Sequence, residues 1–271
     1  MKNTKTLSIA FGLAIGALAQ AANLIVYDFE SEVAGVLADA ASIANSGTLA
    51  TSGTIAGTAG GTATIVTGAG PLGTTTNYLS LTPLNDASEG TAAPHIGTGS
   101  SIATLNVGGD QNYTFAAWVR YNNQTGDNMV FGGSNGDVLH LGSRSAAHWS
   151  GHWGDDINAG AAPSTEVGVW HHVAWTNTAG DGQQSIFVDG VLAVSGGGGN
   201  AGSYTSNAVE NLLVGTSRNK GSFNGDLDDV RVYDEVLSGA QIADLATVAI
   251  PEPTSGILLS LASLALLRRR R

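Results

Sequence analysis

Ser185-Ile-Phe-Val-Asp-Gly-Val-Leu-Ala-Val194 holds two apolar, largely β-branched runs on either side of an Asp-Gly step. Asp189-Gly190 supplies the positive φ angles that a two-residue turn requires, so the stretch reads as an antiparallel hairpin. Runs of the same kind, bounded by Gly, Asn or Asp, occur at residues 24–29, 63–67, 78–81, 113–121, 128–131, 138–141, 169–176, 212–214 and 227–233. The chain has 38 glycines and few Lys or Glu, so helix formers are scarce and turn residues abundant. Strands joined by tight turns, with no helical pattern between them, imply an all-β antiparallel sandwich and not a βαβ fold.

Two segments depart from this pattern. Residues 34–76 are Ala, Gly, Thr and Ser with Asp39 as their one charge, and read either as small-residue strands or as a loose insertion. Residues 238–248 read as the one helix: Ser238 can cap it, Gln241 can reach back, and Leu237 can pack on Ile242. No internal repeat is visible, so residues 22–247 are read as one domain.

The two ends carry targeting patterns. Lys2 and Lys5 precede an uncharged run from Leu7 to Ala19, and small residues follow at Ala19 and Ala21. That order describes a secretory signal peptide, residues 1–21, cleaved after Ala21. Its apolar run is shorter than the ~20 residues of a membrane span. At the far end, Pro251-Glu252-Pro253 leads into an apolar stretch, Gly256 to Leu267, and then Arg268 to Arg271. Arginines there would stay cytoplasmic and leave the preceding chain outside the inner membrane. These three parts, in this order, resemble the PEP-CTERM sorting signal of Gram-negative bacteria. The resemblance implies that residues 248–271 are recognised and cut by a membrane-embedded exosortase, with transient membrane association through 256–267.

Between the ends, residues 22–250 hold five basic residues (Arg120, Arg144, Arg218, Lys220, Arg231) against 21 acidic ones, a net charge of −16. Such a surface repels nucleic acid and anionic lipid. It suits neutral glycans, cations or a crowded matrix outside the cell. Cysteine is absent, so no disulfide supports the fold.

Four segments, in order, resemble the concanavalin A-like, laminin G-type domain of many secreted bacterial proteins. They are Tyr113-Thr-Phe-Ala-Ala-Trp-Val-Arg120, Val169-Trp-His-His-Val-Ala-Trp175, Ile186-Phe-Val-Asp-Gly190 and Phe223-Asn-Gly-Asp-Leu-Asp-Asp-Val-Arg-Val-Tyr233, closed by Val236 to Asp244. The resemblance implies a two-sheet jelly-roll sandwich with its first and last strands side by side and one short C-terminal helix. Trp118, Trp170, Phe187, Val188, Leu227, Val230 and Val232 then become core residues. It also implies one structural calcium ion between those strands, where Asp28 and Asp228, with backbone carbonyls, offer the hard oxygens calcium takes. In a regular strand Asp226 and Asp228 share a face and Asp229 takes the other.

His148-Trp-Ser-Gly-His-Trp-Gly-Asp-Asp156 is the second candidate site. Trp149 and Trp153 would form a platform for sugar rings, with His148, His152, Asp155 and Asp156 bonding hydroxyls. His148, His152 and Asp155 also suit a transition metal. The adjacent His171 and His172 face opposite ways and read as structural.

Catalytic patterns are missing: there is no Gly-x-Ser-x-Gly elbow, no phosphate-binding or zinc-protease motif and no Glu-x-Asp-x-x-Glu. The reading is an exported, non-catalytic surface or matrix module that binds polysaccharide or a surface protein. A glycan hydrolase or lyase on the same sandwich, or a purely structural matrix protein, are the alternatives.

Overall fold

Along Tyr113–Tyr121, alternation sends Tyr113, Phe115, Ala117, Val119 and Tyr121 into one core and turns Thr114, Ala116, Trp118 and Arg120 to the opposite face. This rule builds the whole molecule. The computed structural model describes residues 22–85, 90–107, 111–123, 126–134, 139–144, 148–153, 156–159, 166–180, 183–197, 210–218 and 220–247. The signal peptide, Ala21, Pro251, Glu252, Pro253 and the 256–267 stretch lie outside them.

In chain order the strands begin with β1 (Asn23–Tyr27), β2 (Gly35–Leu37), β3 (Ser42–Ile43), β4 (Gly53–Ala56), β5 (Gly61–Ala69), β6 (Thr75–Pro83) and β7 (His95–Ser101). A single helical turn, α1 (Ile102–Leu105), comes next, then β8 (Tyr113–Tyr121), β9 (Asn128–Gly133), β10 (Leu139–Arg144), β11 (His148–Trp153) and β12 (Asp156–Asn158). The chain continues through β13 (Trp170–Thr178), β14 (Gln183–Val188), β15 (Val191–Gly197), β16 (Asn211–Val214) and β17 (Gly225–Tyr233) to α2 (Gly239–Leu245). A nine-stranded sheet runs β15-β14-β13-β8-β17-β6-β5-β2, with β1 also on β17; an eight-stranded sheet runs β12-β11-β10-β9-β16-β7-β4-β3. All named strand pairs are antiparallel, and one core lies between the layers.

Residues 34–76 resolve the open question: they form β2 to β5 and the start of β6, and supply both sheets. Ala, Gly and Thr serve there because the contacts are close. A Cβ on Gly53 would come within 2.6 Å of the Ile96 side chain. The free side of β1 is covered by residues 45–49, whose amides bond Val26, Asn23 and Leu24, while Asn45 Oδ1 accepts from the Val26 amide. The Asp189-Gly190 turn has φ of 50° and 78°, as the hairpin requires.

The capping box of α2 forms: Ser238 Oγ accepts from the Gln241 amide and Gln241 Oε1 from the Ser238 amide. Leu237 and Ile242 are buried with Ala116, Ala174 and Tyr233. α2 therefore lies on the outer face of the nine-stranded sheet, over one end of β8 and β13. Two expected core residues are displaced: Phe187 packs, half-buried, under this helix, and Trp170 is half-buried on the outer face beyond it.

Candidate functional site

The outer face beyond α2 carries side chains that a covered sheet would not. Trp170 and Arg120 are register partners on β13 and β8, and Arg120 is in turn opposite Asp226 on β17. Arg120 Nε donates to Asp226 Oδ2 at 2.8 Å and its Nη2 donates to Tyr78 Oη at 3.0 Å. The guanidinium lies 4.7 Å from the Trp170 ring centroid and 5.1 Å from that of Tyr78. The two rings meet edge-on at 5.4 Å, and Trp170 Nε1 donates to the Ala69 carbonyl at 3.3 Å. Each group fixes another, so the half-buried Trp170 indole is held in place before any ligand arrives.

One step along the strands, Trp118 stacks edge-on with His172 at 5.4 Å. Burial, opposed by the Asp189 charge and aided by that of Arg231, pulls the His172 imidazole down to about 4, so it is neutral at pH 7. His171 points the other way, as expected, and its Nδ1 lies 2.8 Å from Asp189 Oδ2. The Asp189 carboxylate also accepts from the His172 amide at 2.9 Å, which ties the β14–β15 turn to β13.

Asp228, beside Trp118 in the register, is 5% exposed. Thr76 Oγ1 donates to it at 3.2 Å and the Asp229 amide at 2.7 Å. Burial first, then the Asp229 charge and that of Glu30, push its carboxyl up to about 8. Asp229 does not take a regular strand conformation. Its φ is 47°, and the register slips between Asp228 and Arg231. The bend lets Arg231 Nε donate to Asp229 at 2.8 Å. Asp28, across from this bulge, accepts from Ser46 Oγ at 2.9 Å and from the Glu30 amide at 3.3 Å. Glu30 accepts from the Asn77 amide at 3.2 Å, and Asn77 donates to the Glu32 carbonyl at 3.0 Å. Among the described residues no three His, Asp or Glu side chains are grouped to hold a metal ion.

The His148 to Asp156 stretch is strand, not an exposed platform, at its first tryptophan. Trp149 is fully buried and packs on Tyr121 at 5.7 Å, so it is unavailable to a sugar ring. This corrects the sequence expectation: the indole is worth more to the core than to the surface because it fills the space facing β8. Asp156 is bonded by Arg144, and His140 Nε2 lies 3.7 Å from it. Backbone register sets His152 opposite both His140 and Asp156. Asp155 and the side chains of His148, His152 and Trp153 lie outside the described residues.

Tyr78, Arg120, Trp170 and Asp226 were not anticipated as a site. The signal was present in Arg120: a charge between Val119 and Tyr121 on an otherwise apolar strand means that the other face is not packed under a second layer.

Known proteins match this architecture. Domain 4 of AbnA, a GH43 extracellular arabinanase from Geobacillus stearothermophilus solved in complex with arabinotriose, superposes with a TM-score of 0.59 at 19% identity, over 84% of this chain and 99% of that one. The botulinum neurotoxin serotype C1 binding domain does so with a TM-score of 0.56 at 10% identity, over 84% of this chain and 52% of that one. In sequence, the Rattus norvegicus sushi, von Willebrand factor type A, EGF and pentraxin domain-containing protein 1 is 31% identical over 105 residues, 36% of this chain. The Mus musculus protein of the same name is 30% identical over 105 residues. The matched part spans 3% of the length of each of these curated relatives. The laminin G-type family described as the concanavalin A-like lectin/glucanases superfamily matches residues 95–243, more than half of the chain and all of β7 to β17. Sheet order, register and family match agree, and the chain belongs to the concanavalin A-like lectin/glucanases superfamily.

Proposed function

We propose that the mature chain is an exported, non-catalytic module that binds carbohydrate at the cell surface or in the extracellular matrix, through the outer face of its nine-stranded sheet. The Trp170–Arg120–Tyr78–Asp226 cluster carries this reading. A fixed, half-exposed indole stacks on the C–H face of a sugar ring, while the adjacent guanidinium and carboxylate meet its hydroxyls. The likeness to an arabinanase domain solved with arabinotriose supports the same ligand class. Asp226 is engaged by Arg120 and Asp228 is buried, an arrangement that favours binding over bond cleavage. In this reading the export machinery removes residues 1–21. An exosortase-like membrane protease then acts at Pro251-Glu252-Pro253.

Residues 22–247 can be tested on an array of neutral and acidic polysaccharides. Wild type is expected to be retained on at least one, and Trp170→Ala to lose about tenfold or more in affinity with its melting transition intact. Unchanged retention by Trp170→Ala overturns the site. Release of new reducing ends or unsaturated products overturns the non-catalytic assignment.

One structural calcium ion belongs to the same proposal. The oxygens of Asp228, Glu30 and Thr76 are of the hard type that calcium takes, and Asp228 is a buried carboxyl crowded by other acids. Glu30 fits better than Asp28, whose carboxylate is turned to Ser46. A bound calcium would neutralise this crowding and fasten the loop after β1 to β6 and β17. Calcium is expected to raise the melting temperature of residues 22–247 by several degrees over chelator; identical melting in both removes the ion from the proposal.

A further inference from the structure

The register connects one row of outer-face residues across six strands of the large sheet. Trp170 is opposite Arg120, Arg120 opposite Asp226, Asp226 opposite Ser80, Ser80 opposite Thr64 and Thr64 opposite Val36. Residues directly opposite in antiparallel strands share a face. Their sequence neighbours Val119, Leu227, Leu79, Leu81, Ala63 and Ile65 are all in the core, so the row lies on the outside.

At 4.7–4.9 Å between strands, five steps span about 24 Å. The chemistry changes along that length. Trp170 and the Arg120–Asp226 pair stand at one end, half-buried Ser80 and Thr64 hydroxyls in the middle, and Val36, 74% exposed, at the other. Asn122, Thr82 and Thr62, all exposed, flank the row on the side away from α2. Nothing in this pattern encloses a single sugar: the row is a track with an open far end.

We infer that the ligand is a linear, neutral glycan lying across the strands, one sugar to about one strand, gripped at Trp170 and followed as far as Thr64 and Val36. This rests on the carbohydrate reading above and specifies the shape of its ligand. The strand spacing is close to the repeat of a sugar chain, so successive rings meet successive side chains in step. Neutrality follows from the excess of acids over bases in the chain, whose field repels an acidic polymer.

Ladders of arabinan, glucan and galactan oligosaccharides, one to six units long, test this by calorimetry on residues 22–247. Affinity is expected to climb by about tenfold or more from the disaccharide to the pentasaccharide and then level off. Thr64→Lys, a surface change at the far end, should weaken the hexasaccharide by about fivefold and leave the disaccharide unchanged, whereas Trp170→Ala should weaken both. A monosaccharide bound as tightly as the hexasaccharide, or equal losses at both lengths in Thr64→Lys, overturns the linear-track inference while leaving carbohydrate binding intact. No binding to any ladder or to the polysaccharide array overturns both.

Discussion

Asp228 concentrates the conflict that a single buried acid creates. It is nearly inaccessible, next to Asp229 and within reach of the Glu30 charge, and its carboxyl is held up at about 8. An unfolded aspartate releases its proton near ~3.9. Between about 4 and about 8 the folded chain therefore keeps a proton that the unfolded chain gives up, so folding stability falls as pH rises across that window and levels off above it. Asp228→Asn, which resembles the protonated acid in shape and hydrogen bonding, should abolish that slope. We expect it to be more stable than wild type by about 2 kcal/mol at pH 9 in chelator and nearly equal at pH 4, the scale of a buried polar group left unsatisfied. Urea denaturation at both pH values checks this, and a wild-type stability that rises with pH in chelator contradicts it. If the proposed calcium ion binds, the sign is expected to reverse in its presence, because the ion would favour the ionised form.

At the scale of elements, hairpin and helix depend on each other. Gly190 has φ of 78°, and a Cβ there would come within 2.9 Å of the Ala243 Cα on α2. Gly190→Ala combines a left-handed alanine, costing about 1–2 kcal/mol, with a contact that backbone atoms can relieve only by moving the helix. We expect a loss of about 2–3 kcal/mol, read from chemical denaturation; Ser238→Ala, which removes only the cap, should lose about 1 kcal/mol. A Gly190→Ala protein as stable as wild type would mean that α2 is not seated on the turn. These elements were legible in sequence because their signals are local: Asp-Gly for the turn, Ser-x-x-Gln for the cap, alternation for β8, β13 and β17. Strands β2, β3, β4 and β7 were not, because Gly, Ala and Thr adopt strand only when neighbouring strands supply the pairing. The site was hidden for a related reason. Trp170 and Trp149 have the same local signature, an aromatic in a strand, and only the arrangement of layers puts Trp149 in the core and Trp170 on the face.

For the whole molecule, the order of synthesis runs against the order of assembly. The last strand, β17, lies in the middle of the large sheet, paired with β8 on one side and with β6 and β1 on the other. Leu227, Val230 and Val232, all fully buried, come from it. Until residue 233 is available, the first strand has only the segment 45–49 beside it and no strand partner, and β8 and β6 have no common neighbour. Contacts this distant in sequence make folding slow and all-or-none. Deleting β17 removes three side chains of the core between the sheets, and Tyr233 from the cluster under α2; each of the three is worth about 2–5 kcal/mol by large-to-small substitution, against a total stability of about 5–15 kcal/mol for a typical domain. A chain of residues 22–224 should therefore show no cooperative thermal or urea transition, although it retains most of the strands. Adding a peptide of residues 225–247 should restore one, since the slot between β8 and β6 calls for that strand in that register. A 22–224 fragment that melts cooperatively on its own would show that the sheet closes without its central strand. For the export proposed above, a fold completed only by its last strand would keep the chain unfolded until almost the whole domain had crossed the membrane.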